Sequence, residues 1–168
     1  MKNLHLQHEI EIIVGDESHE EFFFRLEADT TWESLPDDKR NISRDEFHER
    51  LKQTHHEMLA FRGHVIFIAI NKTTGEKMGL LWFGPRFNPL SCEEEAWIYN
   101  LTVLPEYRGC GVGKVLMRHA EIHAHSQNYD SIGLMVSSHN EGARALYNKL
   151  HYSESNIIMR KVLPVDAE

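Results

Sequence analysis

The stretch Val103-Leu-Pro-Glu-Tyr-Arg-Gly-Cys-Gly-Val-Gly-Lys114 decides how this chain reads. It joins an apolar, β-branched segment, Ala96 to Leu104, to a helical pattern that starts near Gly113. That pattern places Leu116, Ala120 and Ala124 at i, i+4 and i+8. Glycines alternate at 109, 111 and 113 across the strand-to-helix junction. Glycine lets successive amides turn toward one point, and the helix start adds partial positive charge, so the junction is an anion cradle suited to phosphate or pyrophosphate. Arg108 and Lys114 add side-chain charge. A Walker A loop is excluded, because Arg108 stands at its first glycine and Val115 follows the lysine. The dinucleotide fingerprint G-x-G-x-x-G is excluded too, because the third glycine comes one residue early. The spacing that fits is R-x-x-G-x-G, read as Arg108, Gly111 and Gly113.

Working outward, Ser131 to Val136 reads as a short strand with a helix before and after it, a crossover that implies parallel pairing. Glu141 to Leu150 is a second helix, and residues 152–163 are expected to give one or two final strands. Upstream, Val65 to Ile70 and Met78 to Phe83 flank Asn71-Lys-Thr-Thr-Gly75 and read as a hairpin. Gly84 to Cys92 carries two prolines and reads as a loop. Residues 1–63 are polar and rich in histidine. They hold a weak strand at Glu9 to Val14 and a helix over Glu17 to Ala28, with Phe22, Phe23 and Leu26 on one face. Thr31 to Asn41 reads as a loop. A helix follows, opened by the S-x-x-E capping box of Ser43 and Glu46, with Phe47, Leu51 and Met58 in one stripe.

The 168 residues are 41% hydrophobic and 26% charged, ordinary for one globular domain. Eighteen Lys and Arg against 26 Asp and Glu leave a net charge of −8. That balance disfavours binding to nucleic acid or an anionic membrane and favours cationic partners such as amines. Two cysteines build no disulfide framework, and residues 1–10 lack the apolar core of a signal peptide. The expectation is a cytoplasmic protein.

A second stretch, Asn140-Glu-Gly-Ala-Arg-Ala-Leu-Tyr-Asn-Lys149, resembles N-x-x-A-x-x-L-Y-x-K. With R-x-x-G-x-G before it, in that order, the chain resembles the GNAT superfamily of N-acetyltransferases over about residues 64–163. The resemblance implies a single α/β (α+β) domain spanning residues 1–168. Its mixed, mostly antiparallel sheet would be flanked by helices and splayed between two central parallel strands. Residues 1–63 would form the variable acceptor side and residues 64–163 the acetyl-CoA-binding core. The implied reaction moves acetyl from acetyl-CoA directly to a primary amine: a protein N-terminus, a lysine or a small molecule. No metal is implied, and the chain would act as a monomer or homodimer. A longer acyl donor, or a CoA-binding sensor without catalysis, are the alternatives.

The resemblance also implies site residues. Backbone groups of Leu101, Thr102 and Val103 would meet the pantetheine arm as an added strand does. Arg108, Gly109, Cys110, Gly111, Val112, Gly113 and Lys114 would hold the pyrophosphate. Asn140 would lie near the thiol, and Ala143 would leave room for the arm. Tyr147 would give a proton to the departing thiolate, a transfer nearly matched at ordinary values of about 10 and about 8.5. The base is open. At pH 7 a lysine-type amine costs roughly 4.6 kcal/mol to deprotonate and an α-amine roughly 1.4. Relatives carry acids where this chain has Met135 and Asn100. Glu93, Glu94, Glu95, Tyr99 and His139 remain as candidates, with Trp32, Glu33 and Asp37-Asp38 near the acceptor. His151 stands where relatives have glycine, which implies local strain. His119, His123 and His125, like His55-His56, read as a solvated, titratable face.

Overall fold

The computed structural model describes residues 9–36, 39–161 and 163. They fall into two compact units, residues 1–137 and 138–168, and each is treated by itself. The first unit runs β1 (Ile10–Val14), a 3-10 turn, α1 (Glu20–Ser34), α2 (Arg44–Leu59), β2 (Val65–Asn71), β3 (Lys77–Asn88) and β4 (Glu93–Val103). A second 3-10 turn (Pro105–Tyr107), α3 (Val112–Ser126) and β5 (Ile132–Leu134) complete it. The five strands form one sheet in chain order, antiparallel except for the parallel β4–β5 pair. The α/β architecture with a mixed, mostly antiparallel sheet is therefore as expected.

β2 and β3 read as continuous apolar runs because both faces of the sheet are covered. On one face Ile68, Leu80 and Trp82 pack against Phe22, Phe23, Phe24 and Leu26 of α1. On the other, Phe67 and Phe83 meet the imidazoles of His119 and His123 on α3. Leu116, Met117 and Ala120 of the same helix are fully buried. Each buried Phe or Leu stabilises by roughly 1.5–3 kcal/mol, so these two layers dominate the fold. His119 and His123 are thus packing residues, not the solvated face the sequence suggested, whereas His125 is exposed. α2 opens as read, with the Ser43 hydroxyl accepting from the Glu46 amide at 3.1 Å. Met58 packs on the α1-side core.

Three boundaries differ from the sequence reading. α1 continues to Ser34, taking in residues assigned to a loop. Residues 84–92 are mostly strand, because β3 runs on to Asn88 and turns directly into β4. Pro85 is tolerated there because strand alternation directs its missing amide toward β2, whose last pairing is Val65 with Phe83. The final strands expected at 152–163 are absent among the described residues. No described helix is long and apolar enough to cross a membrane.

In the second unit, α4 (Glu141–Lys149) is capped by Asn140, whose side chain accepts from the Ala143 amide at 3.1 Å. His151, just past the helix, takes φ 67°, the left-handed conformation that glycine usually supplies.

Candidate functional site

β4 and β5 part company early. Their last pairing is Ile98 with Leu134, yet β4 continues five residues further, to Val103. From Tyr99 onward that edge of β4 has no strand beside it. The Leu104 amide bonds to the Met78 carbonyl at 2.9 Å, which sets the alternation of the β3–β4 ladder. Thr102 and Asn100 then exchange bonds with Leu80 and Trp82, while Leu101 and Val103 turn their amides and carbonyls to the open edge. This is the edge that the sequence reading reserved for an amide-bearing arm. The Arg108 side chain folds back over it, Nε donating to the Val103 carbonyl at 3.1 Å.

Beyond the edge, the glycine loop has the geometry its sequence requires. Gly109 and Gly111 sit at φ 75° and 90°. α3 starts directly after Gly111, and its first helical bond runs from the Val115 amide to the Gly111 carbonyl. The amides of Val112, Gly113 and Lys114 therefore have no acceptor within the helix. No side chain caps this start and no acid stands in the first turn, whereas α2 and α4 are both capped. Arg108 and Lys114 are exposed. The arrangement presents amides and two cations to an anion. Cys110 is half-buried, with Sγ directed to the Arg108 carbonyl at 3.7 Å.

The α1 face of β4 carries a feature absent from the sequence reading. Glu27 of α1 is 3% exposed, and its carboxylate accepts from the Asn100 side-chain amide. Thr102 donates to Asn100 Oδ1 at 2.9 Å and meets the Thr30 hydroxyl at 2.8 Å, so one polar chain ties α1 to β4. Burial pushes the Glu27 carboxyl up to about 7, against hydrogen bonds from Asn100 and Thr31 that pull it down. The opposite holds for His55 of α2, whose Nδ1 lies 3.3 Å from Glu27 Oε1: burial pushes it down to about 4. The rings of His55, Trp82 and Tyr99 follow one another, with centroids 4.9 and 4.8 Å apart. Trp82 Nε1 donates to His64 Nδ1 at 3.1 Å. A β-bulge between Trp82 and Phe83 leaves Tyr99 as the extra residue of β4 and swings its ring onto Trp82.

The candidates for a base fare differently. Glu94 accepts from the Tyr129 hydroxyl, and Glu95 from Asn88 Nδ2 at 2.9 Å, both toward the far end of the β3–β4 hairpin. Tyr99 spends its hydroxyl on the Pro85 carbonyl at 2.8 Å. Glu93 and His139 are exposed. Trp32 packs edge-on against Phe47, with centroids 5.2 Å apart, and Glu33 is exposed. Asp37 and Asp38 lie outside the described residues. A signal for Glu27 existed: it follows Phe23 by four and Phe24 by three, a charge on a helical face that is otherwise apolar.

In the second unit, Asn140 Oδ1 is committed to capping α4, and Ala143 supplies the amide it holds. Tyr147 is half-buried, with its ring centroid 5.9 Å from that of Tyr152. Burial pushes its phenol up to about 12, so it is protonated at neutral pH. The match to a thiol that its ordinary value suggests is correspondingly weaker.

Comparison with known proteins fits these features. Residues 26–152 match the model of the acetyltransferase (GNAT) family. The chain is 35% identical over 97 residues to the uncharacterized N-acetyltransferase YdgE of Bacillus subtilis (strain 168); the match takes in 58% of this chain and 60% of that one. Among solved structures, a Pyrococcus furiosus protein described as an acetyl transferase aligns with TM-score 0.80 and 26% identity. It covers 92% of this chain and 100% of its own. A Clostridium acetobutylicum protein described as an acetyltransferase, solved with acetyl-CoA, shares the fold at TM-score 0.71 and 16% identity, over 91% of this chain and 96% of its own.

Proposed function

The chain belongs to the GNAT family of acetyltransferases, and from that premise we propose that it moves acetyl from acetyl-CoA directly to a primary amine. The observation that carries this reading is the open edge of β4, with Leu101 and Val103 turned outward, running into the uncapped start of α3. The pantetheine amides pair with Leu101 and Val103 as a short strand would. The pyrophosphate takes the amides of Val112 to Lys114 at the end of that track. Arg108 gives up its bond to the Val103 carbonyl to meet the phosphates, freeing that carbonyl for the arm. Residues 1–168 act as one catalytic domain on this reading, since the family match runs across the boundary between the two compact units.

The amine nitrogen attacks the thioester carbonyl, and the thiolate leaves. Tyr147 is assigned as its proton partner on the strength of the second sequence signature. A phenol near 12 holds its proton at pH 7 and stabilises a thiolate chiefly as a hydrogen-bond donor. Full transfer to a thiol of pKa about 8.5 runs uphill by about 5 kcal/mol.

Calorimetric titration with acetyl-CoA tests the reading. Wild-type protein should bind with a Kd on the order of micromolar. Arg108→Glu should weaken binding by at least about tenfold, since it replaces a phosphate partner with a like charge. Absence of binding by the wild type would overturn the proposal.

A further inference from the structure

Glu27 is a buried acid with no cation beside it. No lysine or arginine pairs with it among the described residues, and the ionisable group facing it is His55 of α2. Asn100 and Thr31 donate to the carboxylate. Oε1 looks at His55 Nδ1 across 3.3 Å, and that nitrogen is itself buried without a hydrogen bond. The imidazole is neutral at pH 7, because burial pushes it down to about 4. The carboxylate and the imidazole thus face each other across 3.3 Å with no cation between them. A primary ammonium, which has three N–H bonds and one charge, satisfies both at once.

The place of the gap matters as much as its chemistry. Asn100 stands two residues past Ile98, the last residue of β4 that pairs with β5. A donor laid along Leu101 and Val103 from the phosphate end delivers its acyl group to this apex. Asn100 and Thr102 share the α1 face with Glu27, so an amine at the gap approaches from the α1–α2 side. The side chain of His55 is 15% exposed against 4% for that of Glu27, which makes the imidazole the cover. Entry requires it to swing aside.

We infer that Glu27 is the proton acceptor for an alkylammonium substrate, which it and His55 bind at the apex of the β4–β5 splay. The inference rests on the acetyl-transfer reading and narrows its acceptor to an amine on an aliphatic chain, as in a lysine side chain or a polyamine. One proton passes from R–NH3+ to the carboxylate. The nitrogen lone pair forms the C–N bond to the thioester carbon, and the C–S pair leaves on sulfur. The second N–H proton of the adduct ends on that thiolate, and Glu27 returns its own proton to solvent. Amines of this kind need a base most, because their deprotonation at pH 7 is the most costly.

The test follows release of CoA thiol at saturating acetyl-CoA, from about pH 5.5 to about pH 9, around the working range of such a base. The acceptors are Nα-acetyl-lysine methylamide, spermidine, and a lysine-free peptide with a free N-terminus. The lysine and polyamine arms distinguish the two sources of alkylammonium. Glu27→Gln is nearly isosteric and still accepts from Asn100. It should lower kcat/KM for the alkylammonium acceptors by roughly 10²–10³-fold. It should also abolish the acid limb near pH 7 and leave acetyl-CoA affinity unchanged. Adding Asn100→Asp to Glu27→Gln moves the carboxylate across one hydrogen bond and should restore part of the rate. Unchanged turnover and pH profile in Glu27→Gln would overturn the inference. Acetylation of the α-amine peptide alone would overturn the acceptor class. Failure of the wild type to bind acetyl-CoA would instead count against the acetyl-transfer reading. Should Glu27→Gln not fold, the wild type carries the test by carbon NMR of the Glu27 carboxyl. Spermidine should pull its titration to lower pH, and an unmoved titration would overturn the inference.

Discussion

At the scale of single residues, Glu27 has a thermodynamic signature separate from its chemistry. Its carboxyl titrates at about 7 in the folded chain against 4.5 for an ordinary glutamate. Between those values the folded state binds more protons than the unfolded one, so stability falls as pH rises through that window. The loss is on the order of 3 kcal/mol and is complete above about pH 7. Glu27→Gln should therefore be more stable than wild type at pH 8, by about 1–3 kcal/mol, and close to equal at pH 5. Urea unfolding at the two pH values checks this. His55 acts in the opposite sense, losing stability as pH falls from 6.5 toward about 4. That effect lies below pH 6.5, so it does not touch the comparison at pH 8. A variant less stable than wild type at pH 8 would mean that the hydrogen bonds of Glu27 outweigh its desolvation. His151 is a second residue that departs from the easiest choice: it holds φ 67° at the end of α4 without being glycine.

At the scale of elements, the splay depends on how briefly β5 stays with β4. Three pairings join them, and the middle one sets Trp97 against Gly133. A Cβ on Gly133 would come within 2.4 Å of the Trp97 ring. The Arg86 guanidinium lies 3.9 Å from the centroid of that ring, holding it in place. Gly133→Ala should cost about 1–3 kcal/mol by overpacking. It should also raise the exchange rate of the β5 amides, which hydrogen exchange read by NMR would show. The same brevity hid where the β4–β5 pairing ends. Ala96 to Leu104 reads as one apolar run, and no residue in it announces where its neighbour stops. The β3–β4 hairpin was hidden by Pro85 and Pro89, since a proline normally interrupts a strand. Which side of β3 lacks a neighbour is decided by pairing 20 residues away, between Val65 and Phe83.

At the scale of the whole molecule, charge acts on the two substrates in opposite directions. The chain carries −8 and has a sequence pI near 5.8. Acetyl-CoA is anionic and the proposed acceptor cationic. Raising salt from about 20 to about 200 mM shortens the screening length severalfold. KM for acetyl-CoA should then fall and KM for spermidine rise, each by a few fold. Steady-state kinetics at the two salt concentrations check this. Movement of both constants in the same direction would show that local contacts, not net charge, govern approach.

The sequence by itself determined the features whose physics is local. Alternating glycines before a helix, and the residues around them, specify an anion cradle whatever lies elsewhere, because backbone amides at a helix start need no distant partner. The apolar runs of β2 and β3, set around Asn71 to Gly75, likewise announced a hairpin. The proton affinity of Glu27, by contrast, comes from contacts between distant segments. Glu27 and Asn100 stand 73 residues apart, and nothing in the neighbourhood of either points to the other. Folding α1 onto β4 takes the carboxylate out of water, and closing α2 over it leaves His55 as its ionisable neighbour. Proton affinity depends on that enclosure, so it becomes a property of Glu27 once the helices and the sheet have met.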